Sequence, residues 1–261
     1  MGLGKISIRL AASIALLVGI VWAIPQLAPQ VPEPYEGVQA LPPASPSATG
    51  STTAPPPLPP GFPSMNRPPP KIDVPDGQPQ PIATKFGWTY EIPPDWRNFS
   101  TGTAGWSNGD RSVAYGASAD YGYGYCPEVD GSSLAESGMT GRNGMDLHAA
   151  ALDAARGAEV VFGDDASTPP RIEYSGPRDI EVDGQSAVRY TVRSSGIHAS
   201  AECSPTEATF DVVAMPGFAT ATVAVFMVQL DQNIEGSLEH STVDNLISTL
   251  RRSNSETEQP R

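Results

Sequence analysis

Cysteine, histidine and lysine are nearly missing from this chain of 261 residues, which has two cysteines, three histidines, and lysine only at positions 5, 71 and 85. Two cysteines without C-x-x-C spacing argue against a dithiol oxidoreductase, and the dispersed His148, His198 and His240 give no ligand set for a metal. Basic residues are so few that the net charge is −13; from position 82 onward 12 basic residues stand against 25 acidic ones. Binding to nucleic acid, or lying flat on anionic lipid, needs clustered Lys and Arg, so both are excluded. There is also no G-x-S-x-G elbow to set Ser118 beside His148 as a nucleophile and base. Asp164-Asp165 and Asp183-Gly184 lack calcium-loop spacing, and the glycine pairs Gly102/Gly105 and Gly141/Gly144 lack the strand–loop–helix context of a phosphate site. The sequence therefore assigns no catalytic, cofactor-binding or metal residue, and predicts a protein that is not an enzyme and carries no cofactor.

What is present begins with one continuous apolar run, Leu10 to Ile24, preceded by Lys5 and Arg9 and by no acidic residue. Positive charge stays on the cytoplasmic side, so residues 1–24 read as a signal anchor spanning the membrane, with the rest exported; a cleaved signal peptide and secretion are the alternative. Residues 25–81 hold 19 of the 28 prolines amid Ser, Thr, Ala and Gly. Such a stretch lacks a core and reads as a disordered, polyproline-like spacer. The remaining domain spans 82–252, followed by a polar tail at 253–261.

Within the domain, Phe86 to Ile92 alternates like a half-buried strand that Pro93 and Pro94 stop. Trp106 and Ser112–Ser118 supply further strands, and Asp146–Ala158 is an alanine-rich helix. Arg171–Tyr174 returns to period two. Ile180–Val182 and Ala187–Val192 form a hairpin about Asp183-Gly184, whose residues tolerate positive φ. Phe210–Ala214 and Ala219–Leu230 form a second hairpin with a central, nearly all-apolar arm. Val243, Leu246, Ile247 and Leu250 fall at helical spacing, with Arg251-Arg252 at the favourable end of that helix's dipole. Gly122 and Gly124 interleave with Tyr121, Tyr123 and Tyr125 in an irregular edge strand or a loop. The fold class is therefore α+β: an antiparallel sheet with helices packed on it, behind a transmembrane helix and a disordered linker.

The strand and turn Tyr90-Glu91-Ile92-Pro93-Pro94-Asp95-Trp96, the Ile180–Ala187 hairpin, the long apolar strand and the terminal helix resemble the PsbP-like α/β sandwich, in its actinobacterial extracytoplasmic (LpqN-like) branch. The resemblance covers most of residues 83–252. It departs in having no lipobox cysteine, with an anchor in its place. It implies a non-catalytic role in the bacterial envelope and supplies no catalytic motif.

In an exported domain Cys126 and Cys203 read as a structural disulfide, with a free or redox pair as the alternative. Tyr121, Tyr123 and Tyr125, with Arg111, form the candidate interaction surface, since tyrosine and arginine suit interfaces; core packing is the alternative for the aromatic set. The expected role is a non-catalytic module binding an envelope protein, anchored in the membrane by its N-terminal helix. A hydrolase with an unrecognised site and a carrier of an apolar ligand remain open alternatives.

Overall fold

Runs of Val, Thr, Ser and aromatic residues punctuated by Gly, Asp and Asn favour strands over helices. In the computed structural model, which describes residues 69–163, 169–198 and 201–253, strands dominate. In chain order they are β1 (Gln80–Ala83), β2 (Trp88–Ile92), β3 (Arg97–Asn108), β4 (Arg111–Tyr121), β5 (Ala135–Arg142), β6 (Arg171–Val182), β7 (Gln185–Ser195), β8 (Glu207–Pro216), β9 (Val223–Gln232) and β10 (Arg251–Arg252). The described helices are α1 (Leu147–Ala155), α2 (Ala158–Val161) and α3 (Ser241–Ser248). Seven strands make the main sheet in the order β3-β4-β5-β9-β8-β7-β6, and β1-β2-β10 make a small second sheet. Every ladder is antiparallel.

The main sheet is covered on both faces. Over one face lies α1, whose Ala150, Ala151, Ala154 and Ala155 are buried. Their small side chains let its backbone approach β7, β8 and β9 closely. Asp146 caps this helix by accepting from the Ala149 N–H at 2.7 Å. Over the other face lie the small sheet and α3. Trp88, Tyr90 and Ile92 point inward with the parity the sequence predicts. The Trp88 indole donates to the Pro216 carbonyl at 2.8 Å, and Tyr90 donates to Ala117 O at 2.6 Å. Asp183 and Gly184 both have positive φ, 49° and 73°, as a two-residue hairpin turn requires.

This architecture corrects the expected fold class. The α+β sandwich with helices packed on the sheet gives way to a mostly β domain, because the helices run to only nine, four and eight residues and a second sheet covers part of one face. Strand β5 and the long arms of β3 and β6 hold the Ser, Thr, Gly and charged residues that sequence periodicity passes over. Arg251-Arg252 do not end a helix. The terminal helix stops at Ser248; Thr249 Oγ1 accepts from the Glu91 N–H at 3.0 Å, and the two arginines pair with Thr89 and Trp88 as β10. The transmembrane helix expected at 1–24 and the linker as far as residue 68 lie outside the described residues, and no described helix is long and apolar enough to cross a membrane. Strand β1 begins at Gln80, inside the expected linker.

The two edges of the main sheet differ. Strand β6 is exposed along most of its length and carries Arg171, Glu173, Arg178, Asp179 and Glu181. Its ladder shifts register between Ser175 and Arg178, where Pro177 removes a donor. Strand β3, at the other edge, has Arg97 as its one charged residue.

The alanine face of α1 leaves no space for larger groups. Ala154→Leu is expected to cost about 1–3 kcal/mol by overpacking against the sheet, and Leu152→Ala on the half-buried flank less; urea unfolding of the two variants measures the difference.

Candidate functional site

Strand β4 ends at Tyr121, and the chain turns through Gly122 and Gly124, at φ 65° and 77°. At Gly122 a Cβ would lie 2.6 Å from Leu134 Cδ1, so glycine is required there. Backbone bonds close the loop, from the Gly124 N–H to Ser132 O at 2.7 Å and from the Leu134 N–H to Tyr121 O at 2.9 Å. Cys126 is buried in this loop and disulfide-bonded to Cys203, 77 residues later, as the sequence predicts. By the chain-entropy account, closing so long a loop stabilises the fold by roughly 4.5 kcal/mol.

The three tyrosines take three different roles. Tyr121 packs on the core, with its ring 6.1 Å from that of Trp96. Tyr125 donates to Asp231 Oδ2 at 3.2 Å; burial first, and then Asp231, push its hydroxyl above the usual phenol range, so it stays a donor. Tyr123 is 53% exposed, and the Arg97 guanidinium sits 3.4 Å from the centre of its ring. Asp120 in turn holds Arg97 through Nε at 3.0 Å.

Arg111 stands apart from the tyrosines. It begins β4 while Tyr121 ends it, a separation of roughly 30 Å along an extended strand. Its guanidinium pairs with Glu159 at 2.8 Å, and Tyr174 donates to the same carboxylate at 2.7 Å. The arginine that accompanies the tyrosine loop is Arg97, which sequence reading missed because β3 and β4 meet only through their register. Arg97, Asp120, Glu136 and Gln229 are successive neighbours across β3, β4, β5 and β9.

Asp231 lies two residues beyond Gln229, on the same side of β9. Three carboxylates, Asp120, Glu136 and Asp231, are thus gathered near the tyrosine loop with Arg97 as the paired cation. Glu136 Oε2 and Gln229 Oε1 are buried without a hydrogen-bond partner. Burial lifts the Glu136 carboxyl to about 7, opposed by the Ser133 hydroxyl and reinforced by Asp120 and Asp231. Burial likewise lifts Asp231 to about 6, against hydrogen bonds from Gln229 and Tyr125.

The histidines are scattered. His148 is exposed and lies 3.2 Å from Asp179, His198 is exposed, and His240 meets Asp211 at 3.0 Å. The Ser118 hydroxyl donates to Tyr115 O rather than to a histidine. Among the described residues no group of three or more His, Cys, Asp or Glu is arranged to hold a metal ion. Asp164-Asp165 lie outside the described residues. Gly141 is a packing glycine, since a Cβ there would come within 2.5 Å of the Phe86 ring.

A family described as a domain of unknown function (DUF8017) matches residues 71–255, more than half of the chain. No curated protein matches it. Among solved structures, a crystal structure from Bacteroides thetaiotaomicron VPI-5482 is similar at 11% identity with a TM-score of 0.33, over 71% of this chain and 52% of that one. The chain thus spans about half the length of that protein.

Glu136 and Asp231 titrate above their ordinary values of 4.5 and 3.8, so the folded chain holds protons that the unfolded chain releases. The stability they contribute is complete below those ordinary values and is lost as the pH rises through about 6 and about 7. The midpoint of thermal unfolding should therefore carry a component that falls from about pH 4 to about pH 7, and Glu136→Gln should flatten its upper half. Differential scanning fluorimetry across that range reads both effects.

Proposed function

The chain belongs to the DUF8017 family of domains of unknown function, and from that premise we propose that it is a non-catalytic protein-interaction module working outside the cytoplasm, in the cell envelope. The observation that carries this reading is the exposed Tyr123 ring stacked with Arg97 on a disulfide-tethered loop. Tyrosine and arginine dominate binding energy at interfaces. Here both are pre-positioned, the ring by a closed loop and the guanidinium by Asp120, so little side-chain freedom is lost on association. The disulfide supports an oxidising compartment. The acidic domain surface favours a partner with a basic rim around an apolar centre.

Capture from a detergent-solubilised envelope extract by the full-length chain, followed by titration of the purified partner, tests the proposal. Tyr123→Ala should weaken that binding about tenfold or more. Affinity unchanged in Tyr123→Ala would move the interaction elsewhere on the domain, and a chain that captures no protein would sink the module reading. Replacing both cysteines by alanine should lower unfolding stability by about 2–5 kcal/mol in urea and weaken capture in parallel.

A further inference from the structure

A second site lies on the face of the main sheet that carries α3. Arg189 and Asp211 are buried there side by side, with Arg189 Nε 2.9 Å and Thr191 Oγ1 2.6 Å from Asp211 Oδ1. The other oxygen, Oδ2, meets His240 Nε2 at 3.0 Å, at the start of α3. Toward the strand ends, beyond this network, opens a cleft of about 340 Å³ lined by Glu173, Arg193, Glu207, Thr209, Asn233 and His240.

Two of these groups have unused hydrogen-bonding capacity. Thr209 is 9% exposed, and its Oγ1 is buried with no partner. Two residues before Asp211 on β8, it shares that residue's side of the strand and so faces the cleft. Arg193 is its cross-strand neighbour, exposed and without a hydrogen bond or ion pair from its side chain among the described residues. Glu173, the neighbour of Arg193 on the other side, is turned to Arg171 at 2.5 Å. His240, whose Nε2 meets Asp211, also lines the cleft. A buried hydroxyl without a partner is a cost that a bound ligand removes.

The mixture of groups selects the ligand. An anion would meet Glu173 and Glu207 in a domain already strongly acidic, and a cation would meet Arg193. A neutral polyol suffers neither repulsion. Its hydroxyls accept from the guanidinium, the Asn233 carboxamide and Thr209, and donate to the two carboxylates. The volume stands at the small end of ligand sites. We propose that this cleft is a saccharide-binding site, separate from the tyrosine loop.

Ligand-observed saturation-transfer NMR tests this with the full-length chain and a panel of glucose, galactose, mannose, arabinose, trehalose and cellobiose. At least one of these sugars should receive saturation. Thr209→Val, which keeps the shape and removes the hydroxyl, and Arg193→Gln should each weaken that binding about tenfold. Tyr123→Ala should leave it unchanged. Arg193 is exposed, so its variant keeps the test open if Thr209→Val fails to fold. No transfer to any member of the panel, transfer that persists unchanged in both cleft variants, or binding of inorganic phosphate in preference to every sugar would overturn the proposal.

Discussion

The domain is joined across the ladder between β5 and β9. Strands β3, β4 and β5 form one meander and β6 to β9 another, and among the described strands they share this single boundary, from Ala135 opposite Leu230 to Arg142 opposite Val223. The ladder is buried on both faces by rings that cross it. Tyr115 lies against Gly138 through its Cβ, which an added Gly138 Cβ would meet at 2.8 Å, and the Phe86 ring lies over Gly141 on the opposite face. The glycines of β5 let aromatic side chains from neighbouring elements reach the apolar strand β9. The disulfide is a second tie between the same halves, since Cys126 precedes β5 and Cys203 precedes β8.

Charge inside the domain is handled in two contrasting ways. Around Arg189 nearly every polar atom is matched: Asp211 accepts from Arg189, Thr191 and His240, and Arg189 also reaches Asp244 on α3 at 2.6 Å. That network fixes the helix to the sheet, and opposite charges offset the cost of burying each other. Near the tyrosine loop the matching is incomplete, with three carboxylates against one paired arginine. Protonation supplies there what hydrogen bonding does not, so the tyrosine-loop end of the sheet responds to pH through groups absent from the α3 side.

Local signals in the sequence translated well. The parity of Trp88, Tyr90 and Ile92, the Asp183-Gly184 turn and the pairing of the two cysteines follow from periodicity, backbone preference and composition. What stayed hidden depends on neighbours distant in sequence. Ala135–Arg142 carries no hydrophobic alternation of its own, because it is buried by rings from other segments. The Arg97–Asp120–Glu136–Gln229 row exists only once three registers are fixed. Arg111 appears close to the tyrosines when counted in residues and is distant once those residues are extended. Thr209 and His240 meet at one cleft only because β8 and the start of α3 share a face.

The split into two meanders bears on how the chain is made. Strand β5 leaves the ribosome about 80 residues ahead of β9, an interval of roughly 4–16 seconds at ordinary elongation rates. Through that interval its free edge must avoid every other strand in the cell. Two glycines, a threonine, Glu136 and Arg142 make it a poor template for intermolecular pairing. The small residues that admit Tyr115 and Phe86 in the finished domain thus also guard the nascent one against aggregation.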